Sequence, residues 1–272
     1  MAAFLLLAGC TRLPSEERPT AGPTPVGSGS LRIAIPAAAG TLDPRELDSP
    51  ESVLLASQLF DGLVSYEPGT GAVTPAVAQS WDVLDGASRF VFHLRQGLTF
   101  HDGTPVTAQS FVDGWTRLAD PGTPSPYAFL LESVRGFREF HTTLEAPSLS
   151  GLIAIDELTL EVTLIRSWHD FVAVLGHPSL SPVPPSASEP GYPVLPTGNG
   201  PYRLTEELQP GRPVTMASYP RYSGRRPSVA EVLWSVETAP EESWPRFLRG
   251  DLDVAPIPGS LIEDARSEFG SA

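Results

Sequence analysis

Apolar and polar residues alternate over Leu31-Arg32-Ile33-Ala34-Ile35, which predicts a first strand. Thr41-Leu42-Asp43-Pro44 predicts a turn, because Asp favours turns and Pro44 pushes Asp43 out of the helical region. Residues 52–59 predict a helix with Val53, Leu54, Leu55 and Phe60 on or near its buried side, Gly62 as its C-terminal cap, and a short strand over 63–66 after it. Residues 81–83 and 89–94 predict antiparallel strands about the turn dipeptide Asp85-Gly86. Phe90, Phe92 and Leu94 share one face of the second strand, and Val91, His93 and Arg95 share the other. Residues 106–118 predict a helix with Thr107 as N-cap and a stripe of Phe111, Trp115 and Leu118. A second helix is expected over 126–140 and a short one over 168–175, with strands over 151–155 and 158–164. Beyond a proline-laden connection over 178–190, strands are expected at 214–219 and 229–236, a helix at 243–249 and a returning strand at 250–254. Trp81 and Trp115 read as core residues.

The two ends of the pattern differ from the body. Residues 4–8 are a short apolar run, and Leu7-Ala8-Gly9-Cys10 matches the lipobox of bacterial lipoproteins. Small residues before the cysteine let a signal peptidase close on the backbone, and the Cys10 thiol is the atom that accepts lipid. The run is far short of the roughly 20 apolar residues that span a bilayer as a helix. No Lys or Arg precedes it, so a basic segment upstream of Met1 is expected. Residues 11–30 are rich in Pro, Gly, Ser and Thr and predict a disordered tether. Cys10 is the only cysteine, which excludes an intramolecular disulfide.

Asp plus Glu outnumber Lys plus Arg by 32 to 18, a net charge of −14. That balance opposes nucleic-acid binding, which needs a basic footprint, and opposes charge-driven adhesion to anionic lipid. The 30 prolines and 24 glycines imply many turns, while 41% apolar residues supply a core. His101-Asp102 invites a metal or acid–base reading, but His93, His141, His169 and His177 lie at no H-x-x-x-H spacing. Asp102-Gly103-Thr104-Pro105 reads as a tight turn held by the Asp side chain. No G-x-S-x-G elbow is present, and Gly198-Asn199-Gly200 lacks the Lys-Ser/Thr of a phosphate loop. No cofactor, metal or catalytic residue is therefore assigned, and the chain is not expected to be an enzyme.

Longer motifs carry a family resemblance. Thr74-Pro75-Ala76-Val77-Ala78-Gln79-Ser80-Trp81-Asp82-Val83, Phe90-Val91-Phe92-His93-Leu94-Arg95-Gln96-Gly97 and Phe100-His101-Asp102-Gly103-Thr104-Pro105-Val106-Thr107-Ala108-Gln109 resemble the peptide-type solute-binding proteins of ABC importers. So do Pro124-Ser125-Pro126-Tyr127-Ala128, residues 156–164, His177-Pro178-Ser179-Leu180-Ser181-Pro182-Val183-Pro184 and Thr197-Gly198-Asn199-Gly200-Pro201-Tyr202-Arg203-Leu204, in family order. The resemblance implies an α/β fold of the periplasmic binding protein type II, peptide-binding class, present in part. It further implies a discontinuous domain I (31–60 and 186–272), an inserted domain II (61–185), and an opposite lobe that would follow residue 272.

The implied function is a lipid-anchored, extracytoplasmic subunit that captures peptides and passes them to an ABC permease and its ATPase, as a monomer. In the family the tyrosine of the S-P-Y motif, here Tyr127, faces the cleft and contacts the peptide. Asp48 and Ser49 align with a cleft-lining segment that is one residue longer in the family. Pro256 and Ile257 stand where the family places polar ligand contacts, a departure that bears on the ligand. Two alternatives remain open: a non-transporting fragment, and the same fold binding a nickel complex, haem or an oligosaccharide.

Overall fold

The computed structural model describes residues 29–188, 195–209 and 212–270. Cys10 and nearly all of the expected tether lie outside these residues. In chain order the elements are β1 (Ser30–Ile35), α1 (Pro50–Leu59), β2 (Val64–Tyr66), β3 (Val73–Pro75), β4 (Ala78–Leu84), β5 (Arg89–Leu94), α2 (Ala108–Leu118), β6 (Leu152–Asp156) and β7 (Thr159–Thr163). They continue with α3 (Phe171–Val174), β8 (Tyr202–Leu204), β9 (Val214–Ser218), β10 (Glu231–Val236), α4 (Pro240–Leu248) and α5 (Ile262–Phe269).

One sheet has the order β1-β10-β9-β8. Its first pair is parallel, with Ile33 opposite Trp234, and the rest is antiparallel. β1 thus pairs with a strand far along the chain, Ser30 standing opposite Glu231. The second sheet is antiparallel, β4-β5-β7-β6, and is built entirely from the interposed segment. Its inner face carries Phe90, Phe92 and Leu94, with Phe90 opposite Val162 and Phe92 opposite Leu160. Fully burying each such side chain contributes about 1.5–3 kcal/mol. α2 lays Phe111, Trp115 and Leu118 on this core, and Trp115 Nε1 donates to the Leu180 carbonyl at 2.8 Å. A second core surrounds Leu55, Leu59, Met216 and Trp234, between α1 and the first sheet.

Two polar devices join the cores. Arg117 of α2 donates through two nitrogens to the Asp43 carboxylate, each at 2.6 Å, and the Asp43 side chain is fully buried. The other device is a junction where three stretches of chain meet. Asp61 N–H donates to Asn199 Oδ1 at 3.1 Å, and Asn199 Nδ2 returns a bond to the Asp61 carbonyl at 3.0 Å. His101 Nδ1 accepts from Gly198 N–H at 3.2 Å, so its proton sits on Nε2, 3.1 Å from the Gly200 carbonyl. Gly198 and Gly200 are needed here for close approach: a Cβ on Gly198 would lie 1.9 Å from the Leu59 carbonyl oxygen. Tyr222 Oη donates to the Asp61 carboxylate at 2.7 Å, and Tyr219 Oη donates to the Phe100 carbonyl at 3.0 Å.

Burial governs the charges at this junction. It pushes the His101 imidazole down to about 4 and the Asp61 carboxyl up to about 6, the latter against the Tyr222 hydrogen bond.

Several expectations are corrected. The helix expected over 126–140 does not form. Residues Ala128–Leu131 make a 3-10 turn and Arg138–Thr142 a π-turn. Between them Val134 bridges Leu164, Arg135 N–H donates to the Thr163 carbonyl, and Gly136 takes φ +87. Pairing with the end of β7 outcompetes helical bonding there. α1 ends on an extended Phe60, and Gly62 is not a left-handed cap. Gly62 instead lies against the backbone of Leu175, whose oxygen would be 2.6 Å from an added Cβ. Leu54 is 44% exposed rather than inward-facing. Residues 250–254 do not make a full strand. They contribute one parallel bridge, Ile33 to Val254, beside a bidentate Arg32–Asp253 ion pair. Trp115 is fully buried, whereas Trp81 is only partly so.

Candidate functional site

The parallel part of the first sheet defines a face. β1 runs parallel to β10 on one edge and to the Val254 bridge on the other. In open α/β sheets the ends where such strands finish are where ligands bind, because the loops there diverge and leave a crevice. At this end the chain continues from β1 into residues 36–49 and from Val254 into Pro256 and Ile257.

Asp48 and Ser49 start α1 on this face. Ser49 is the N-cap, its Oγ accepting from Ser52 N–H at 3.1 Å. A chain of hydroxyl bonds then runs from Ser49 Oγ to Ser52 Oγ at 3.0 Å and from Ser52 Oγ to Asp48 Oδ1 at 2.7 Å. Asp48 is exposed and lies over Gly40, where an added Cβ would sit 2.5 Å from Oδ2. Ser49 therefore has a defined structural role, and Asp48 keeps one carboxylate oxygen without a hydrogen bond among the described residues. Ile257 is 43% exposed and Pro256 half-buried, so their contribution to the face is apolar.

Tyr127 is half-buried and touches both cores. Its ring centre is 4.4 Å from that of His177 and 6.3 Å from that of Phe129. His177 accepts from Ser179 N–H through Nδ1, and burial lowers its basicity. The ring of Tyr127 is thus fixed by neighbours, while its hydroxyl makes no hydrogen bond among the described residues. A held ring with a free hydroxyl can pack on an apolar group and exchange one hydrogen bond. Asp48 and Ser49 are in direct contact, and Pro256 and Ile257 flank the same sheet end. No hydrogen bond joins Tyr127 to any of these four among the described residues. The junction of Asp61, His101, Asn199 and Tyr222 was not assigned from sequence. His101 precedes the Asp102–Pro105 turn and Asn199 lies between two glycines, and their partners lie 99 and 138 positions away.

Among the described residues no group of three or more His, Cys, Asp or Glu could hold a metal ion. No helix of the described residues is long and apolar enough to cross a membrane.

The mixed sheet and the interposed antiparallel sheet belong to an α/β fold of the periplasmic binding protein type II, peptide-binding class, present in part. Residues 72–270 match the model of bacterial extracellular solute-binding proteins, family 5, and the chain belongs to that family. It is similar to the Escherichia coli protein YgiS, named a probable deoxycholate-binding periplasmic protein, with 35% identity over 82% of this chain and 43% of the relative. The periplasmic oligopeptide-binding protein OppA of E. coli is 33% identical over 84% of this chain and 44% of its own. The solved structure of Burkholderia pseudomallei OppA superposes with a TM-score of 0.79 at 28% identity, covering 89% of this chain and 49% of that one. The chain spans less than half the length of the curated relatives it matches.

Proposed function

We propose that this chain forms one wall of a solute-binding cleft in an extracytoplasmic subunit of an ABC importer, and that its solute is a peptide. The observation that carries this reading is Tyr127, a ring held by two cores with its hydroxyl open. Asp48, Ser49, Pro256 and Ile257 complete the proposed surface. An extended peptide satisfies such a wall through main-chain hydrogen bonds, with side chains in wet pockets that tolerate many sequences. Residues 31–60 and 186–272 form the proposed domain I and 61–185 the proposed domain II, in keeping with the separate sheets.

Native mass spectrometry with mixed tri- to pentapeptides tests the peptide reading. Retained peptide masses that weaken with Tyr127→Ala are expected. Retained masses indifferent to Tyr127→Ala rule it out.

The protein is proposed to act as a monomer tethered through lipid on Cys10 and to deliver its solute to permease and ATPase subunits. Cys10→Ser is expected to release a folded protein from membranes. A wild-type protein without added acyl mass contradicts the anchor.

A second reading is favoured by Pro256 and Ile257, which give apolar surface where the family resemblance implies polar contacts. Together with the name of the 35%-identical relative, it makes the solute an amphipathic anion such as deoxycholate. Competition between deoxycholate and peptide for the same protein separates the two.

A further inference from the structure

A cavity of about 700 Å3 opens beyond the C-terminal end of α1, where Asp61, Asn199 and Tyr222 meet. α1 has ten residues and so spans about 15 Å. The cavity is therefore at the far end of this helix from Asp48 and Ser49. Its size falls within the roughly 300–1,000 Å3 of small-molecule sites.

Its charge is opposite to that of the protein. The net charge is −14, and all 18 cationic side chains are arginine. Three of them, Arg95, Arg221 and Arg225, line this one cavity, with Asp61 as its only carboxylate among the described residues. Asp61 does not neutralise them: it accepts from Tyr222 Oη, and no ion pair links it to an arginine among the described residues. Arg221 and Arg225 form no ion pair or side-chain hydrogen bond among the described residues. Arg95 uses Nε on the Ala76 carbonyl at 2.8 Å. Like charges lining one cavity repel, and an anion between them relieves that repulsion.

The placement is built by the fold. Gly224 packs on the Tyr222 ring, where an added Cβ would lie 2.5 Å from Oη, so the loop carrying Arg221 and Arg225 folds back on a residue that Asp61 anchors. The Arg221 guanidinium rests over Gly103, 3.5 Å from where a Cβ would be. The adjacent Asp102 accepts from Thr104 N–H and Oγ1 through Oδ1 and forms no ion pair with Arg221 among the described residues. Gln79, Gln96 and Asn199 add amide groups to the lining.

We propose that this cavity is a second binding site, for a small molecule bearing two or more phosphate or carboxylate groups, gripped by the forks of Arg221, Arg225 and Arg95. Arginine forks match both oxyanions in bidentate fashion, which a point charge does not.

Titration calorimetry of the whole chain with inorganic pyrophosphate and with citrate tests the site. Saturable one-to-one binding that weakens with added salt is expected. Arg221→Gln with Arg225→Gln is expected to weaken it at least about tenfold, the scale of losing a charge-assisted bidentate contact. Tyr127→Ala is expected to leave it unchanged. The arginines are exposed and unpaired among the described residues, so circular dichroism of the double variant is expected to match wild type; Arg225→Gln alone serves if it does not. Co-sedimentation with phosphatidylglycerol vesicles identifies the source of the anion: a free solute leaves the protein in the supernatant, and a lipid headgroup pellets it in an arginine-dependent way. The proposal is overturned if neither probe binds at millimolar concentration and the vesicles do not pellet the protein. It is equally overturned if the arginine variants bind as wild type does.

Discussion

At the scale of single residues, the junction concentrates most of what can be tested. His101 and Asp61 titrate in opposite senses. The folded His101 value of about 4 lies below the ordinary 6.5, so its contribution is complete above about 6.5 and is lost as pH falls through about 4. The folded Asp61 value of about 6 lies above the ordinary 3.8, so its contribution is complete below about 3.8 and is lost as pH rises through about 6. Each spans up to about 3 kcal/mol, and between about pH 4 and 6 they offset each other. Asp61→Asn should therefore lose stability on acidification relative to wild type, and His101→Gln should gain it. Urea midpoints across this range check both signs; parallel pH profiles for all three proteins would contradict the assignment. Gly198→Ala should cost about 1–3 kcal/mol or more, because its Cβ meets a carbonyl oxygen at 1.9 Å and backbone cannot swing aside. A denaturation midpoint unchanged from wild type would show that the junction relaxes freely. Little of this was legible beforehand. The Asp102 turn is local and readable from four residues, whereas His101 meets Gly198 and Gly200 across 97 and 99 positions.

At the scale of elements, legibility follows the range of the forces. β1, β5 and α2 were readable because their apolar period alone fixes which face is buried. Residues 126–140 carry an apolar pattern too, yet pairing of Val134 with Leu164 breaks it into separate turns. The buried Asp43–Arg117 pair was equally hidden: Asp43 reads as a turn residue, and nothing local to Arg117 in the last turn of α2 points to it. Their contact ties the segment after β1 to the other core. Removing Arg117 leaves the buried Asp43 carboxylate with a longer Arg45 pair at 3.9 Å and the Arg45 N–H bond at 3.0 Å, so Arg117→Met should cost up to about 3–5 kcal/mol. Asp43→Asn with Arg117→Met should recover part of that loss in thermal denaturation. A double variant no more stable than the single would place the loss in packing around Arg117 rather than in the unmatched charge.

At the scale of the whole molecule, the proposed face draws on three distant stretches: residues 48–49, Tyr127 and residues 256–257. Sequence named these positions through family likeness. The structure adds the physical content: a helix cap beside an exposed carboxylate, a fixed ring with an open hydroxyl, and an apolar edge at a sheet end. Ligands that touch one wall must offset a loss of translational and rotational freedom of roughly 4–15 kcal/mol, so this chain by itself should bind peptide weakly. Weak binding is still mappable. The most direct measurement is the change in backbone amide NMR shifts of this chain as a short peptide is added to millimolar concentration. The account predicts shifts clustered at Ser49, Tyr127 and Ile257 that disappear with Tyr127→Ala. Shifts that persist in that variant, that gather elsewhere, or that never appear would contradict it.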